Sequence, residues 1–413
     1  MIDIKRILND RAAVEANLRQ RDPDINLDGV FCLANEQKQL RNRYENLRGD
    51  IKRASANNCS PPTEAERRSA QDLRAESQRV STQLSDVQGR LEGEMLRIPN
   101  LLSPLVPISQ RKEDSVIVRS YGEKPHFDFP IADHVTLGKN LGILDFERSA
   151  KIAGTGFPLF RGKGAILQWS LLNFMIDHSS KRGFEFMLFP LLNNTQTLTA
   201  SGNLPKFADE LYTCKNDDLH AIPTSEVPLT SFYRDEVIDE TKLPLRMISY
   251  SPCFRREAGA HGKTSRGLMR LHQFDKVESY SICRPEKSDG ELDFLLDNAE
   301  MMLKELGLHH RTARLPSCDL AQQSSHTCDI ELWLPSAKMY SEVSSASNCT
   351  DYQARRANIR FKSPEGNGYV HTLNCSALAT PRLMIALMES NQMPDGHITV
   401  PPALRKYTQF EVI

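Results

Sequence analysis

Two stretches of the chain carry the same apolar rhythm. Leu33, Leu40, Tyr44, Leu47 and Ile51 are spaced 7, 4, 3 and 4 residues apart, and Leu73, Val80, Leu84, Val87 and Leu91 repeat that spacing. Each is a narrow heptad seam of the kind that lets one helix lie along another. Between them, residues 57–64 (NNCSPPTE) supply turn breakers, with Pro61 and Pro62 placed where a new helix starts. Thr63, with Glu66 three residues on, has the form of a capping box. The pattern predicts an antiparallel helical hairpin, a rod of roughly 30–45 Å at about 1.5 Å per residue. Twelve basic residues meet ten acids between positions 33 and 97, a net +2 that permits phosphate contacts without demanding them. A dimerisation arm or a packed helical cap is the plainer reading of such a hairpin; an arm reaching a large partner is the sharper one.

Residues 98–107 (IPNLLSPLVP) end the second helix at Pro99 and read as a stiff linker, so the domains are expected to be 1–103 and 104–413. Beyond the linker, apolar strand-like runs at 184–192, 245–250 and 330–334 alternate with helical runs at 165–179, 290–306 and 382–391. DIELWL, at 329–334, alternates in character as a half-buried antiparallel strand does. An α+β domain built on an antiparallel sheet is the expected fold.

Composition narrows the class. A chain of 413 residues with 39% apolar and 25% charged residues is an ordinary globular protein of about two domains. No apolar stretch approaches the ~18–20 residues needed to span a bilayer. The opening MIDIKRILND carries acids and no apolar core, so neither a secretory signal nor a transit peptide is read there and a cytoplasmic protein is expected. Nine cysteines occur singly, the closest being Cys318 and Cys328, which argues against a disulfide framework or a zinc ribbon. The net charge of −1 leaves a nucleic-acid partner open, because a local basic face vanishes in that sum.

The chemistry concentrates in residues 254–278, FRREAGAHGKTSRGLMRLHQFDKVE. Arg255, Arg256, Arg266 and Arg270 surround a turn containing Gly259 and Gly262, and Phe274 follows. Guanidinium forks bind phosphate oxygens in pairs, and an aromatic plane stacks on a flat base. A nucleoside triphosphate held without a P-loop fits this chemistry, and neither of the common glycine-rich phosphate motifs occurs in the chain. A charged surface hairpin is the alternative.

The same stretch resembles motif 2 of the class II aminoacyl-tRNA synthetases, in the form typical of seryl-tRNA synthetases. GFEFMLFPLL, just before Asn193, resembles motif 1, the dimer-interface strand. SGNLPKFADELY, IPTSEVPLT, EVSSASNCTDYQARR and HTLNCSALATPRLMIALMESNQ resemble further signature stretches, the last being motif 3. The resemblance runs from Met1 to the C-terminus, arm included. It implies a class II catalytic domain on an antiparallel sheet, preceded by a long helical hairpin arm, with a homodimer formed through motif 1. The implied partners are L-serine, ATP and tRNA(Ser), whose long variable arm the hairpin holds by shape and backbone contacts; tRNA(Sec) shares that shape.

Carried over position by position, the resemblance places Arg255 at the α-phosphate of ATP and Glu257 at the adenine amino group. Arg266 reaches the γ-phosphate, and Phe274 and Arg382 cover the two faces of adenine. Arg255 and Arg382 count as the catalytic pair, while Arg256, Val343 and Ser344 complete the ATP site. Glu342 and Ser345 are the implied ligands of Mg²⁺ on the phosphates, hard oxygens of the type that ion prefers. Thr224, Ser225, Glu226, Glu278, Asn374 and Ser376, with Arg255, form the implied serine pocket. There Glu226 pairs the ammonium and Glu278 accepts from the hydroxyl. Motif 3 departs from its usual form, since Cys375, Ala377 and Pro381 stand where glycines are common, and Cys328 replaces a usual tyrosine. A catalytically silent RNA-binding or regulatory paralogue is the alternative that these departures raise. A ligase acting on a carrier protein is another, set against by the presence of the arm.

Overall fold

The computed structural model describes residues 1–56, 63–258 and 266–413. The turn breakers at 57–62, and Gly259 and Gly262 of the arginine-rich segment, lie outside the described residues. The chain divides into two compact units, Met1–Pro99 and Asn100–Ile413. Residues 100–103, placed with the first part on sequence, pack within the second unit. Asn100 Nδ2 donates to the carbonyls of Gln323 (2.9 Å) and Cys349 (2.8 Å), and Leu102 clusters with Val106, Leu315 and Leu320.

In the first unit, two short helices, Ile4–Asn9 and Arg11–Arg19, are capped by Asp3 and Asp10 and bury Ile7, Val14 and Leu18. Two long helices follow, α1 (Asp28–Ala56) and α2 (Glu64–Arg97). At ~1.5 Å per residue they extend about 44 and 51 Å. The Thr63 capping box forms: Thr63 Oγ1 accepts from the Glu66 amide, and Glu66 Oε2 accepts from the Thr63 amide at 2.7 Å. The helices pack along the expected seams, and an Arg43–Glu76 ion pair crosses between them. Burial tapers along the hairpin. Leu33, Val80, Val87 and Leu91 are buried, whereas Leu40, Tyr44, Leu47, Ile51, Leu73 and Leu84 are half-buried. Two helices alone cover only one line of side chains, so the seam farther from the short helices stays partly wet.

The second unit is built on an eight-stranded sheet. Its strands are β1 (Val116–Tyr121), β2 (Glu185–Met187), β3 (Leu245–Phe254), β4 (Gln273–Cys283), β5 (His310–Arg314), β6 (His326–Leu334), β7 (Met339–Asn348) and β8 (His371–Ala379). The order across the sheet is β1-β5-β6-β7-β8-β4-β3-β2, and every neighbouring pair is antiparallel except β2 with β3. Three helices form where the sequence pattern puts them: α3 (Lys163–Lys181), α4 (Ser288–Glu305) and α5 (Thr380–Ser390). The run at 184–192 does not become one strand. Only Glu185–Met187 joins the sheet, and Leu192–Asn193 pairs separately with His220–Ala221. Pro190 interrupts the run, because it has no amide to give to a ladder.

Strand β4 shows how the sheet separates core from site. Its odd residues face the helices: Asp275 accepts from Gln168 of α3 at 3.1 Å, Val277 is fully buried, and Ser281 donates to Glu291 of α4 at 2.9 Å. Its even residues, Phe274, Lys276, Glu278 and Tyr280, face the other way. The register of β8 beside it, Asn374 with Tyr280 and Ser376 with Glu278, brings the polar residues of both strands onto that second face.

Candidate active site

On that second face lies a cleft of about 140 Å³. Arg255, Glu257, Phe274, Glu342, Val343, Ser376 and Arg382, all singled out on sequence, line it, together with Arg270 and Lys276. Four cations meet two carboxylates, so the cleft has an excess of positive charge suited to an anion. The Arg255 guanidinium lies 5.1 Å from the centre of the Phe274 ring, and its Nε donates to the Pro223 carbonyl at 3.4 Å. Across the cleft, Arg382 Nη1 donates to the Glu342 carbonyl at 2.8 Å and lies 3.3 Å from its carboxylate. Glu257 pairs with Arg270 at 3.1 Å. Its φ of 49° turns the chain out of β3 in the left-handed region that non-glycine residues seldom occupy.

A second cluster lies deeper on the same face. Thr224 Oγ1 is its hub: it accepts from Lys276 Nζ at 2.8 Å and from the Glu226 amide at 3.1 Å, and donates to Glu278 Oε2 at 3.3 Å. Lys276 and Glu278, both buried, form an ion pair. Glu226 Oε1 accepts from Gln353 (2.7 Å), Asn374 (3.0 Å) and Gln323 (3.4 Å). Burial, followed by the nearby charge of Glu278, pushes the Glu226 carboxyl up to about 7.

Some expected residues lie elsewhere. Arg256 is exposed, and its guanidinium donates to the Asp209 carbonyl at 3.2 Å, outside the cleft lining. Arg266 is also outside, paired with Asp133 at 3.0 Å. Ser225 Oγ donates to Ser251 Oγ at 2.7 Å. Ser344 is buried; its hydroxyl donates to the Ser376 carbonyl and lies 3.4 Å from Cys375 Sγ. The β7 register sets Ser344 opposite Ile330, a residue of the main core. Its neighbour Ser345 pairs with Asp329, whose carboxyl is held well above its usual range by burial and then by the charge of Glu342.

Sequence reading did not single out Lys276, Gln323, Gln353 or Asp329. Lys276 was the most findable. It sits between Phe274 and Glu278 in a strand, and period-two alternation puts all three on one face.

The chain aligns with relatives over its whole length. Residues 1–102 match the seryl-tRNA synthetase N-terminal domain, and residues 212–391 match the class II tRNA synthetase core domain (G, H, P, S and T). A serine–tRNA ligase of Chlorobaculum parvum is 42% identical over 438 residues, covering 100% of both chains. The chain belongs to the seryl-tRNA synthetase family. A serine–tRNA ligase of Synechococcus sp. is 39% identical over 98% of this chain and 96% of its own. The seryl-tRNA synthetase of Pyrococcus horikoshii, solved in complex with ATP, superimposes with a TM-score of 0.93 at 31% identity, covering 100% of this chain and 99% of that one. The cytoplasmic serine–tRNA ligase of Naegleria fowleri, solved with AMP, does so with a TM-score of 0.88 at 26% identity. The expected fold, a class II antiparallel sheet with an N-terminal helical hairpin, is thereby borne out.

Within that family the motif 3 departures are accommodated without strain. None of Cys375, Ala377 or Pro381 has a positive φ. Cys375 and Ala377 are fully buried in the main core. Pro381 sits in the first turn of α5, where its missing amide is not needed. Cys328, in place of the usual tyrosine, is likewise buried, on β6.

Proposed function

We propose that the protein joins L-serine to ATP as seryl-adenylate and then transfers the seryl group to tRNA(Ser), and to tRNA(Sec) through the shared shape of its long arm. The observation that carries this reading is the adjacency, on β4 and β8, of a cationic cleft and a buried acid pocket. Ser376 lines the cleft directly opposite Glu278 in the ladder.

In this reading the cleft takes the nucleotide, with adenine between Phe274 and Arg382, and Glu257 at its amino group. Arg255 holds the α-phosphate, while Arg266, paired with Asp133 in this structure, exchanges that partner for the γ-phosphate. Glu226 pairs the serine ammonium, and Thr224, Glu278, Asn374 and Ser376 surround the side chain. The serine carboxylate oxygen attacks the α-phosphorus, the new acyl–phosphate bond forms, and pyrophosphate leaves. The terminal ribose hydroxyl of the tRNA then attacks the seryl carbonyl and releases AMP. No covalent bond to the enzyme is needed, because positioning and charge stabilisation supply the catalysis. The Glu342 carboxylate and Ser345 hydroxyl, with the buried Asp329 Oδ1 beside them that has no hydrogen-bond partner among the described residues, are a hard-oxygen set that suits Mg²⁺. Bound there, the ion would neutralise phosphate charge. A silent RNA-binding role is disfavoured by the intact cleft.

Serine-dependent ATP–pyrophosphate exchange, followed by charging of tRNA(Ser), tests the proposal; no exchange above background with any amino acid would refute it. Exchange kinetics carry a further expectation. Burial and the charge of Glu278 hold Glu226 neutral below about pH 7, and a neutral carboxyl cannot pair an ammonium. The KM for serine should therefore fall roughly tenfold between about pH 6 and about pH 8 and then level off. A serine KM that is flat across that range contradicts the role given to Glu226.

The protein is also proposed to be a cytoplasmic homodimer. Phe186 in β2 and Leu188 just after it are 40% and 71% exposed, and Ile166 and Trp169 on the adjoining α3 are 46% and 58% exposed. So much apolar surface on one edge of a sheet favours burial against a second copy across a two-fold axis. Sedimentation at micromolar concentration should give twice the 46.7 kDa chain mass; a monomer alone would rule the dimer out.

A further inference from the structure

Of the three carboxamides that meet Glu226, Gln353 stands apart. It lies on the short helix Tyr352–Ala357 and is fully buried. A carboxamide offers two N–H donors and an oxygen with two lone pairs, and here all four are used. Nε2 donates to Glu226 Oε1 at 2.7 Å and to the Ser201 carbonyl at 2.8 Å. Oε1 accepts from the Tyr280 hydroxyl at 3.0 Å and from Thr372 Oγ1 at 2.7 Å. The network also fixes which way the amide points, since a flipped group would set its oxygen against two acceptors. Gln323, by contrast, reaches Glu226 only at 3.4 Å, and its own Oε1 is buried without a partner among the described residues.

We propose that Gln353 is a positioning residue for amino-acid recognition. Anchored by Ser201, Tyr280 and Thr372, it holds the Glu226 carboxylate in the orientation that receives the substrate ammonium. This rests on the reading of Glu226 given above. The charged and titratable groups around that carboxylate are Lys276 and Glu278 on β4, with Tyr280 and Cys349 beyond. Without Gln353, the nearest favourable charge for Glu226 is Lys276, and a carboxylate drawn to Lys276 is withdrawn from the substrate. The effect should therefore fall on serine and spare ATP, whose cleft does not include Gln353.

The test is serine-dependent exchange by the full-length wild type and by Gln353→Glu, Gln353→Met and Thr372→Val. Gln353→Glu keeps the shape and both accepting positions but loses the donor that serves Glu226 and the Ser201 carbonyl, and adds a like charge. It should raise the serine KM roughly tenfold or more, with the ATP KM changed less than about twofold. The pH at which the serine KM levels off should also move up by roughly one unit, because a second carboxylate makes Glu226 harder to ionise. Gln353→Met should raise the serine KM similarly while melting earlier. Thr372→Val removes one anchor at nearly constant volume, and should give a smaller change of the same kind in a normally folded protein. A serine KM within about twofold of wild type in any variant of Gln353 that melts normally overturns the proposal. So does a loss shared equally between serine and ATP, with no movement of the pH plateau. Wild type that shows no response to serine would instead take down the functional reading itself.

Discussion

Arg255→Ala is expected to lose at least about a thousandfold in serine-dependent exchange, some 4 kcal/mol of transition-state stabilisation, because a fixed donor at developing charge is typically worth that much. The residue sits where β3 ends, half-buried in the cleft wall. Its interactions there are modest: a long hydrogen bond to the Pro223 carbonyl and a cation–π contact with Phe274. Those contribute about 1 kcal/mol to folding at most. The variant should therefore melt within a few degrees of wild type. Exchange kinetics and calorimetry on the same preparation separate the two effects. Near-normal exchange by a well-folded variant would remove Arg255 from the reaction.

Replacing residues 35–94 by a short linker should have the second large effect, and on the opposite step. Serine activation should stay within about twofold of wild type, while charging of tRNA(Ser) drops on the order of a hundredfold or more, the loss of roughly 3 kcal/mol of RNA contact. The seams of α1 and α2 pack on each other, and the cleft draws every lining residue from Asn100–Ile413. Removing the hairpin thus takes no lining residue from the cleft. Charging at the normal rate by the truncated protein would assign the arm some other task.

Periodic parts of this molecule were readable from sequence, and isolated ones were not. Two heptad seams and a capping box each involve residues a few positions apart, so the hairpin and its Thr63 cap were legible locally. The same holds for α3, α4, α5 and the alternating strand around DIELWL. The apolar run at 184–192 was misleading because hydrophobicity there marks an exposed edge rather than a continuous strand, with Pro190 breaking the ladder. Arg255, Glu257, Phe274, Glu342 and Arg382 were found through motif resemblance and do line one cleft. Arg256 and Arg266 belong to the same quoted segment, yet their side chains engage Asp209 and Asp133 instead. Gln353 and Gln323 were invisible for a plain reason: a lone glutamine has no spacing to read, and its partner Glu226 lies about a hundred or more residues away in the chain.

The ordinary backbone angles at Cys375, Ala377 and Pro381 have a thermodynamic consequence. Where a glycine is not required for its left-handed freedom, it burdens the protein through the disordered chain, which has more conformations to surrender on folding. A side chain or a pyrrolidine ring at such a position narrows that ensemble, typically by about 0.4–1 kcal/mol per site. Three such positions fall within seven residues spanning the end of β8 and the start of α5. The segment that presents Ser376 and Arg382 to the cleft is therefore stiffened in the unfolded chain before any native contact is made.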